Sequence, residues 1–243
     1  MKRNLATLLL ATAASLGVVG LGYAAVTDES VGDADSFGRV VHWIGVVSTG
    51  SVLLTSDCTP DPDFPLGVDD RCLVVNPDAV VTSFDYPDLG RITLPANSSN
   101  SMLCHWATPI MTYTFNNPTG VRQNARFLVR GKFRIESPVL NNPALIDPTT
   151  ELPFNGGFDV LLPTYRDYRS IEPGQNATHT IQYSRDCISG LVSKRSLIET
   201  YGLTPAQANN FFNRKITIRA GLTGQTNMVS NASIIFGTRF QGD

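Results

Sequence analysis

Short stretches rich in β-branched and aromatic residues recur along most of the chain, separated by Pro, Gly, Asn and Asp. That is the punctuation of strands and turns. The clearest alternation runs from Ala125 to Glu136. Phe127, Val129, Phe133 and Ile135 fall on one face with Gly131 between them, while Arg126, Arg130, Lys132, Arg134 and Glu136 fall on the other. A period of two with one apolar face predicts a strand lying between core and water. Met111, Tyr113 and Phe115 repeat the pattern, as do Ile216, Ile218, Ala220 and Leu222. Further strand-like stretches are 40–47, 51–55, 91–94, 102–106, 158–162, 177–183 and 233–240, and Thr49-Gly50 predicts a hairpin between the first two. About ten strands with irregular links and no βαβ rhythm predict an all-β fold, with antiparallel sheets packed as a sandwich or closed as a barrel.

One region breaks the rhythm. Leu191, Ile198 and Tyr201 are apolar positions of a segment that ends in Gly202, a residue suited to the left-handed end of a helix. Thr204-Pro205-Ala206-Gln207 then supplies an N-cap, a first-turn proline and a residue that reaches back to the cap. A small helical hairpin inserted near 190–213 is expected, acting as a cap over one open end of the sandwich. The Pro- and Asn-rich stretch 138–155 reads as a long loop.

The ends of the chain carry different signals. Lys2 and Arg3 precede an apolar run from Leu5 to Leu21 and then Gly22-Tyr23-Ala24-Ala25. This is the pattern of a secretory signal peptide, expected to span 1–24; the alternative is an uncleaved anchor. The short basic start and Ala-rich run have a bacterial look. Residues 25–36 hold Asp28, Glu29, Asp33 and Asp35 with little to bury and read as an acidic flexible tail, leaving 37–243 as a single β domain. No run after residue 24 is long and apolar enough to span a bilayer, so the mature chain is expected to be soluble, and the signal peptide predicts export to the periplasm, the extracellular space or the cell surface.

Composition narrows the classes. Only 16% of the 243 residues are charged and 42% are hydrophobic, which disfavours a coiled coil, a charged disordered tail or a nucleic-acid-binding module. Loss of the signal peptide leaves 17 Lys and Arg against 21 Asp and Glu, a net charge of −4. Such a balance gives no whole-molecule attraction to phosphate backbones or anionic lipid, and no nucleic-acid partner is expected.

All four cysteines follow the expected cleavage point. An even count in an exported chain reads as two disulfides, with Cys58–Cys72 and Cys104–Cys187 the favoured pairing. A four-cysteine zinc site is the alternative, although no pair has the close spacing such sites use. Between Ser56 and Cys72 lie Asp57, Asp61, Asp63, Asp69 and Asp70. Hard oxygen donors on a constrained loop make calcium a candidate metal, but the spacing is not that of an EF-hand, and Asp and Pro favour turns in any case.

Two further features are candidate ligand contacts. The row Arg126, Arg130, Lys132 and Arg134 forms a positive stripe that suits an anionic polysaccharide or an acidic segment of a partner. Trp43, Trp106 and Tyr165 are the aromatics that a carbohydrate-binding groove would use. Catalytic signatures are absent from the local sequence. There is no Gly-x-Ser-x-Gly elbow and no His-Glu-x-x-His. The histidines His42, His105 and His179 all fall in strand-like stretches, and Cys104 and His105, being adjacent in a strand, point to opposite faces. Carboxylates that converge only in the fold would still permit a hydrolase.

In outline, a loose N-terminal extension, a disulfide-bearing β domain and a strand-forming C-terminus resemble bacterial pilus subunits. The resemblance implies completion of each subunit by its neighbour's extension, a form of β-strand addition. The final residues Ile234 to Asp243 lack the penultimate tyrosine of chaperone-assembled pilins, and the tail before Phe37 lacks the alternating large apolar residues of a donor strand, so Val40 to Val47 would have to serve instead. The expectation is therefore an exported, non-enzymatic β-sandwich acting through surface contacts, in assembly or adhesion. The alternatives are a carbohydrate- or ligand-binding module and a secreted hydrolase.

Overall fold

The computed structural model describes residues 28–29, 42–48, 51–63, 65–66, 70–76, 79–187 and 190–242. The expected signal peptide and most of the acidic stretch 25–36 lie outside the described residues. The strands, in chain order, are β1 (Asp28–Glu29), β2 (His42–Ser48), β3 (Val52–Thr55), β4 (Arg71–Val74), β5 (Thr82–Leu94), β6 (Ser101–Asn116), β7 (Gln123–Glu136), β8 (Ile146–Asp147), β9 (Leu152–Pro153), β10 (Gly157–Leu161), β11 (Tyr165–Ile171), β12 (Asn176–Asp186), β13 (Val192–Ser193), β14 (Ile216–Asn227) and β15 (Val229–Gly242). Two helices, α1 (Lys194–Glu199) and α2 (Pro205–Phe212), lie between β13 and β14.

The described residues are mostly strand, with two helices, and the architecture is a sandwich of antiparallel sheets with a small helical insertion. The first sheet runs β1-β5-β14-β7-β10, with β11 pairing the same edge of β7 beyond β10. The second runs β12-β6-β15-β3-β4, with β13 also on β6 and β2 also on β15. β7 shows how the sequence dictates this arrangement. Ala125, Phe127, Val129, Gly131, Phe133 and Ile135 are buried and every intervening residue is partly exposed, as the alternation requires.

The core forms where the inner faces meet. Tyr113 of β6 stacks on Phe127 of β7 with ring centroids 4.2 Å apart, and Phe133 meets Phe240 of β15 edge-to-face at 5.5 Å. Such aromatic pairs add to the stabilisation from area burial. The bond Cys104–Cys187 joins β6 to the end of β12 (Cα–Cα 5.2 Å), and Cys58–Cys72 ties the loop after β3 to β4 (Cα–Cα 5.8 Å). Disulfides persist in oxidising, exported compartments. No helix among the described residues is long and apolar enough to cross a membrane.

The helical insertion follows its caps. Thr204 and Gln207 form a reciprocal capping box at the start of α2, and Gly202 takes the left-handed conformation at φ +70. α1 is shorter than the apolar pattern suggested and starts from a second box between Ser193 and Ser196. Phe158 of β10 lies 3.9 Å from Tyr201 and packs with Phe211 of α2, so the hairpin covers that end of the sandwich.

Two expectations about strands are corrected. β2 and β3 form no hairpin. They lie one after the other along β15, with Ser48 opposite Gly237 and Val52 opposite Ile234, because the long C-terminal strand offers one continuous ladder to both. The separate stretches 102–106 and 110–115 form the single strand β6, which absorbs an irregularity opposite Ile181–Tyr183. Of the acidic stretch, Asp28–Glu29 is described, and it runs parallel to β5 with Asp28 in register with Arg91.

Candidate functional site

The seam where β11 of one sheet faces β12 of the other is open, because each is paired on one side only among the described residues. β7, β11 and β12 supply its side chains. Arg130 of β7 reaches over the kink between β10 and β11, where its Nε donates to Thr164 Oγ1 at 2.7 Å. Tyr183 of β12 donates its hydroxyl to the Pro163 carbonyl at 3.2 Å and meets Tyr165 edge-to-face at 5.3 Å. Arg185 lies over the Tyr183 ring, 4.5 Å from its centroid, and its Nη1 donates to the Ser184 carbonyl at 2.9 Å.

Behind these groups a polar chain enters the core. Tyr165 shares a hydrogen bond with the Tyr113 hydroxyl at 2.9 Å, and Tyr113 donates to Asp167 Oδ2 at 2.6 Å. Asp167 is also held by Arg169 Nε at 3.0 Å. Burial pushes the Tyr113 phenol well above its ordinary pKa, and the bonds to Asp167 and Tyr165 add to the rise. It is therefore a fixed neutral donor.

The resulting groove encloses about 630 Å³ and is lined by Arg130, Thr164, Tyr165, Arg166, Tyr183 and Arg185, together with Pro163. Arg130 lines two adjoining depressions as well. No carboxylate lines the groove, and the acids nearby are engaged elsewhere: Asp85 with Lys132, Asp186 with His105, and Asp167 with Arg169 and Tyr113. Among the described residues, none of Arg130, Arg166 and Arg185 has a carboxylate partner. Three guanidinium-bearing residues therefore line one groove without compensating charge, and two of them, Arg130 and Arg185, are oriented by Thr164 and by the Tyr183 ring.

A second cleft, of about 450 Å³, lies on the outer face of the first sheet beside the loop after β7. Its lining includes Arg91, Lys215 and Glu136. There Arg219 is clamped between Asp88 (2.5 Å) and Glu136 (3.0 Å), so its charge is locally balanced. The seam groove is the stronger candidate for that reason.

The basic stripe read from the sequence is divided by its neighbours. Lys132 is ion-paired with Asp85, and Arg134 reaches Glu136 and Asp159 at 3.6 and 3.3 Å. Arg130 joins the groove. Arg126 lies opposite Tyr168 of β11 and keeps a buried Nε with no hydrogen-bond partner. The backbone of Trp43 lies opposite Gln241, and that of Trp106 opposite Arg185 and Thr238. The side chains of both tryptophans lie outside what the structure describes.

The described acidic residues of the Cys58–Cys72 loop serve local structure. Asp57 accepts from the backbone and hydroxyl of Thr59, bonds that lower its pKa, and Asp61 accepts from Asp63 N. Asp70 accepts from the backbone and hydroxyl of Ser51. Asp69 lies outside the described residues. No three metal-ligating side chains converge among the described residues.

One constellation had no local sequence signal. On the outer face of the second sheet, His105 Nδ1 meets Asp186 and its Nε2 meets Ser184 Oγ at 3.0 Å, the order of a Ser-His-Asp row. The strand register alone creates it, with His105 directly opposite Asp186. The His105 and Asp186 side chains are 40% and 73% exposed, so the row lacks the water-excluded setting that makes such geometry catalytic.

The fold and groove define a disulfide-bonded β-sandwich with an electropositive seam. No protein-family model matches the chain, and no curated protein does. Two solved viral structures were aligned with it. One is a chain of the T13 IBDV viral particle, at 10% identity and a TM-score of 0.16. That alignment covers 84% of this chain, which spans only 39% of the viral chain. The other is tobacco necrosis virus, at 11% identity and a TM-score of 0.13, covering 79% of this chain and 93% of that one. Scores this low carry no argument about fold or function.

Proposed function

We propose that this protein is an exported, non-enzymatic β-sandwich that works through surface contact, as an adhesion or assembly component of the cell envelope. The observation that carries this reading is the seam groove, where Arg130, Arg166 and Arg185 stand uncompensated beside two oriented tyrosines. Unpaired charge held by packing is costly to maintain and is what a contact surface for an acidic partner requires. The paired disulfides support the exported setting. In a bacterium, that setting is the periplasm or the cell surface.

Retention on envelopes tests the reading. The secreted protein is mixed with isolated envelope fragments and washed, beside the double variant Arg130→Gln/Arg185→Gln. The wild type stays bound and the variant washes off, with both showing the same melting temperature. Equal release of the two proteins overturns the proposal.

A further inference from the structure

Resting on that reading, we infer that the seam groove binds an acidic polysaccharide, a polymer whose sugar rings carry carboxylate groups. The donors suit such a ligand. A guanidinium has five N–H groups, and Arg130 uses only its Nε, on Thr164, which leaves both terminal nitrogens for a bidentate contact with a carboxylate. Arg185 uses Nη1 on a backbone carbonyl and is propped on the Tyr183 ring. Its remaining edge is open. Arg166 of β11 sits opposite Leu128, and Tyr168, 61% exposed, sits opposite Arg126. The three groove arginines come from three strands, Arg130 from β7, Arg166 from β11 and Arg185 from β12. Together they present three cationic forks to a polymer that carries several anionic groups.

The supporting groups are already ordered. Thr164 fixes Arg130, Tyr183 fixes Arg185, and the Tyr165–Tyr113–Asp167 chain anchors this support in the core. The disulfide Cys104–Cys187 pins the end of β12 immediately after Arg185 and Asp186. Little side-chain entropy remains to be lost on binding.

Two other anionic polymers fit less well. Single-stranded nucleic acid binds through open aromatic faces, whereas Tyr165 and Tyr183 are half-buried, pack against each other and have engaged hydroxyls. An acidic peptide would have to add as a strand to β11 or β12. Pro163 beside β11 and the inward-facing Asp167 guard the β11 edge against strand addition. Tyr168 gives a sugar ring an exposed, partly apolar face to lie on.

The test uses the full secreted chain and four soluble probes: polygalacturonate, neutral dextran, poly-glutamate and polyuridylate. Affinity is measured by calorimetry at low and at physiological salt. Polygalacturonate binds and dextran does not. Arg130→Gln and Arg185→Gln each weaken binding roughly tenfold or more, as expected for loss of a charged hydrogen bond. Arg239→Gln, an exposed arginine of β15 outside the groove, leaves binding unchanged. If poly-glutamate or polyuridylate binds as tightly as polygalacturonate, the sugar assignment is overturned. If none of the three polyanions binds, the anionic groove itself is overturned. Envelope retention that depends on Arg130 and Arg185 would survive either result, so failure here is separable from failure of the contact reading.

Discussion

Tyr113 and Tyr201 show how single residues set the limits of this fold. Both phenols are raised above the ordinary value of 10.0, in each case chiefly by burial, and Tyr201, packed on Phe158, is pushed up to about 12 with help from Asp147 and Asp159. The folded state therefore holds these protons more tightly than the unfolded chain. Their contribution to stability is complete below about pH 10 and is lost as pH rises toward 12. Urea midpoints measured from pH 8 to 12 should fall steeply above pH 10, and Tyr201→Phe should flatten that fall. An unchanged slope in the variant would show that Tyr201 is not the titrating group.

The residues of the groove were unequally legible. Arg130 stood out through the alternation of its own strand, and Tyr165 was visible as one of few aromatics. Arg185 and Tyr183 carry no local mark. They matter because the register of β12 on β6 brings them to the seam beside β11, a relation between segments far apart in the chain. The row of Ser184, His105 and Asp186 was invisible for the same reason.

At the scale of elements, strands with a buried face were readable and edge strands were not. β7 and β14 follow their apolar alternation closely. β11, whose sequence is Tyr-Arg-Asp-Tyr-Arg-Ser-Ile, gave no such signal, because an edge strand is protected by charge rather than marked by apolar residues. The hairpin expected at Thr49-Gly50 failed because a long partner strand can serve two short ones in line. The helix caps were legible because Thr204 and Gln207 act within four residues of each other.

The disulfides are the elements' strongest constraints. With 83 residues between its cysteines, Cys104–Cys187 restricts the unfolded chain more than Cys58–Cys72, with 14. The chain-entropy model gives about 4 to 5 kcal/mol for the first and about 3 kcal/mol for the second. Urea unfolding of the paired Cys→Ala variants should show this order. Loss of the first pair should also weaken groove binding, since it frees the end of β12 near Arg185. A larger loss of stability from the Cys58/Cys72 pair would contradict the ranking.

For the whole molecule, the expected mature net charge of −4 and the positive seam are compatible, because charge is distributed and not averaged. Among the described residues several acids elsewhere are engaged in pairs, such as Asp85–Lys132, Glu172–Arg122 and Glu199–Arg195, whereas no carboxylate lines the seam groove. On the proposed reading, such a molecule is repelled weakly by acidic surroundings yet makes one directed contact through the seam. The row of Ser184, His105 and Asp186 lies open to water on the outer face of the second sheet.

Hydroxyl-radical footprinting locates that contact most directly. The protein is oxidised free in solution and while retained on envelope fragments, and protection is read residue by residue. The seam account requires protection of Tyr165, Tyr168 and Tyr183, with exposed residues of the second sheet outside the groove, such as Ile110 and Ile235, unchanged. Protection centred on Ile110 and Ile235, with the three tyrosines as reactive as in free protein, would contradict it.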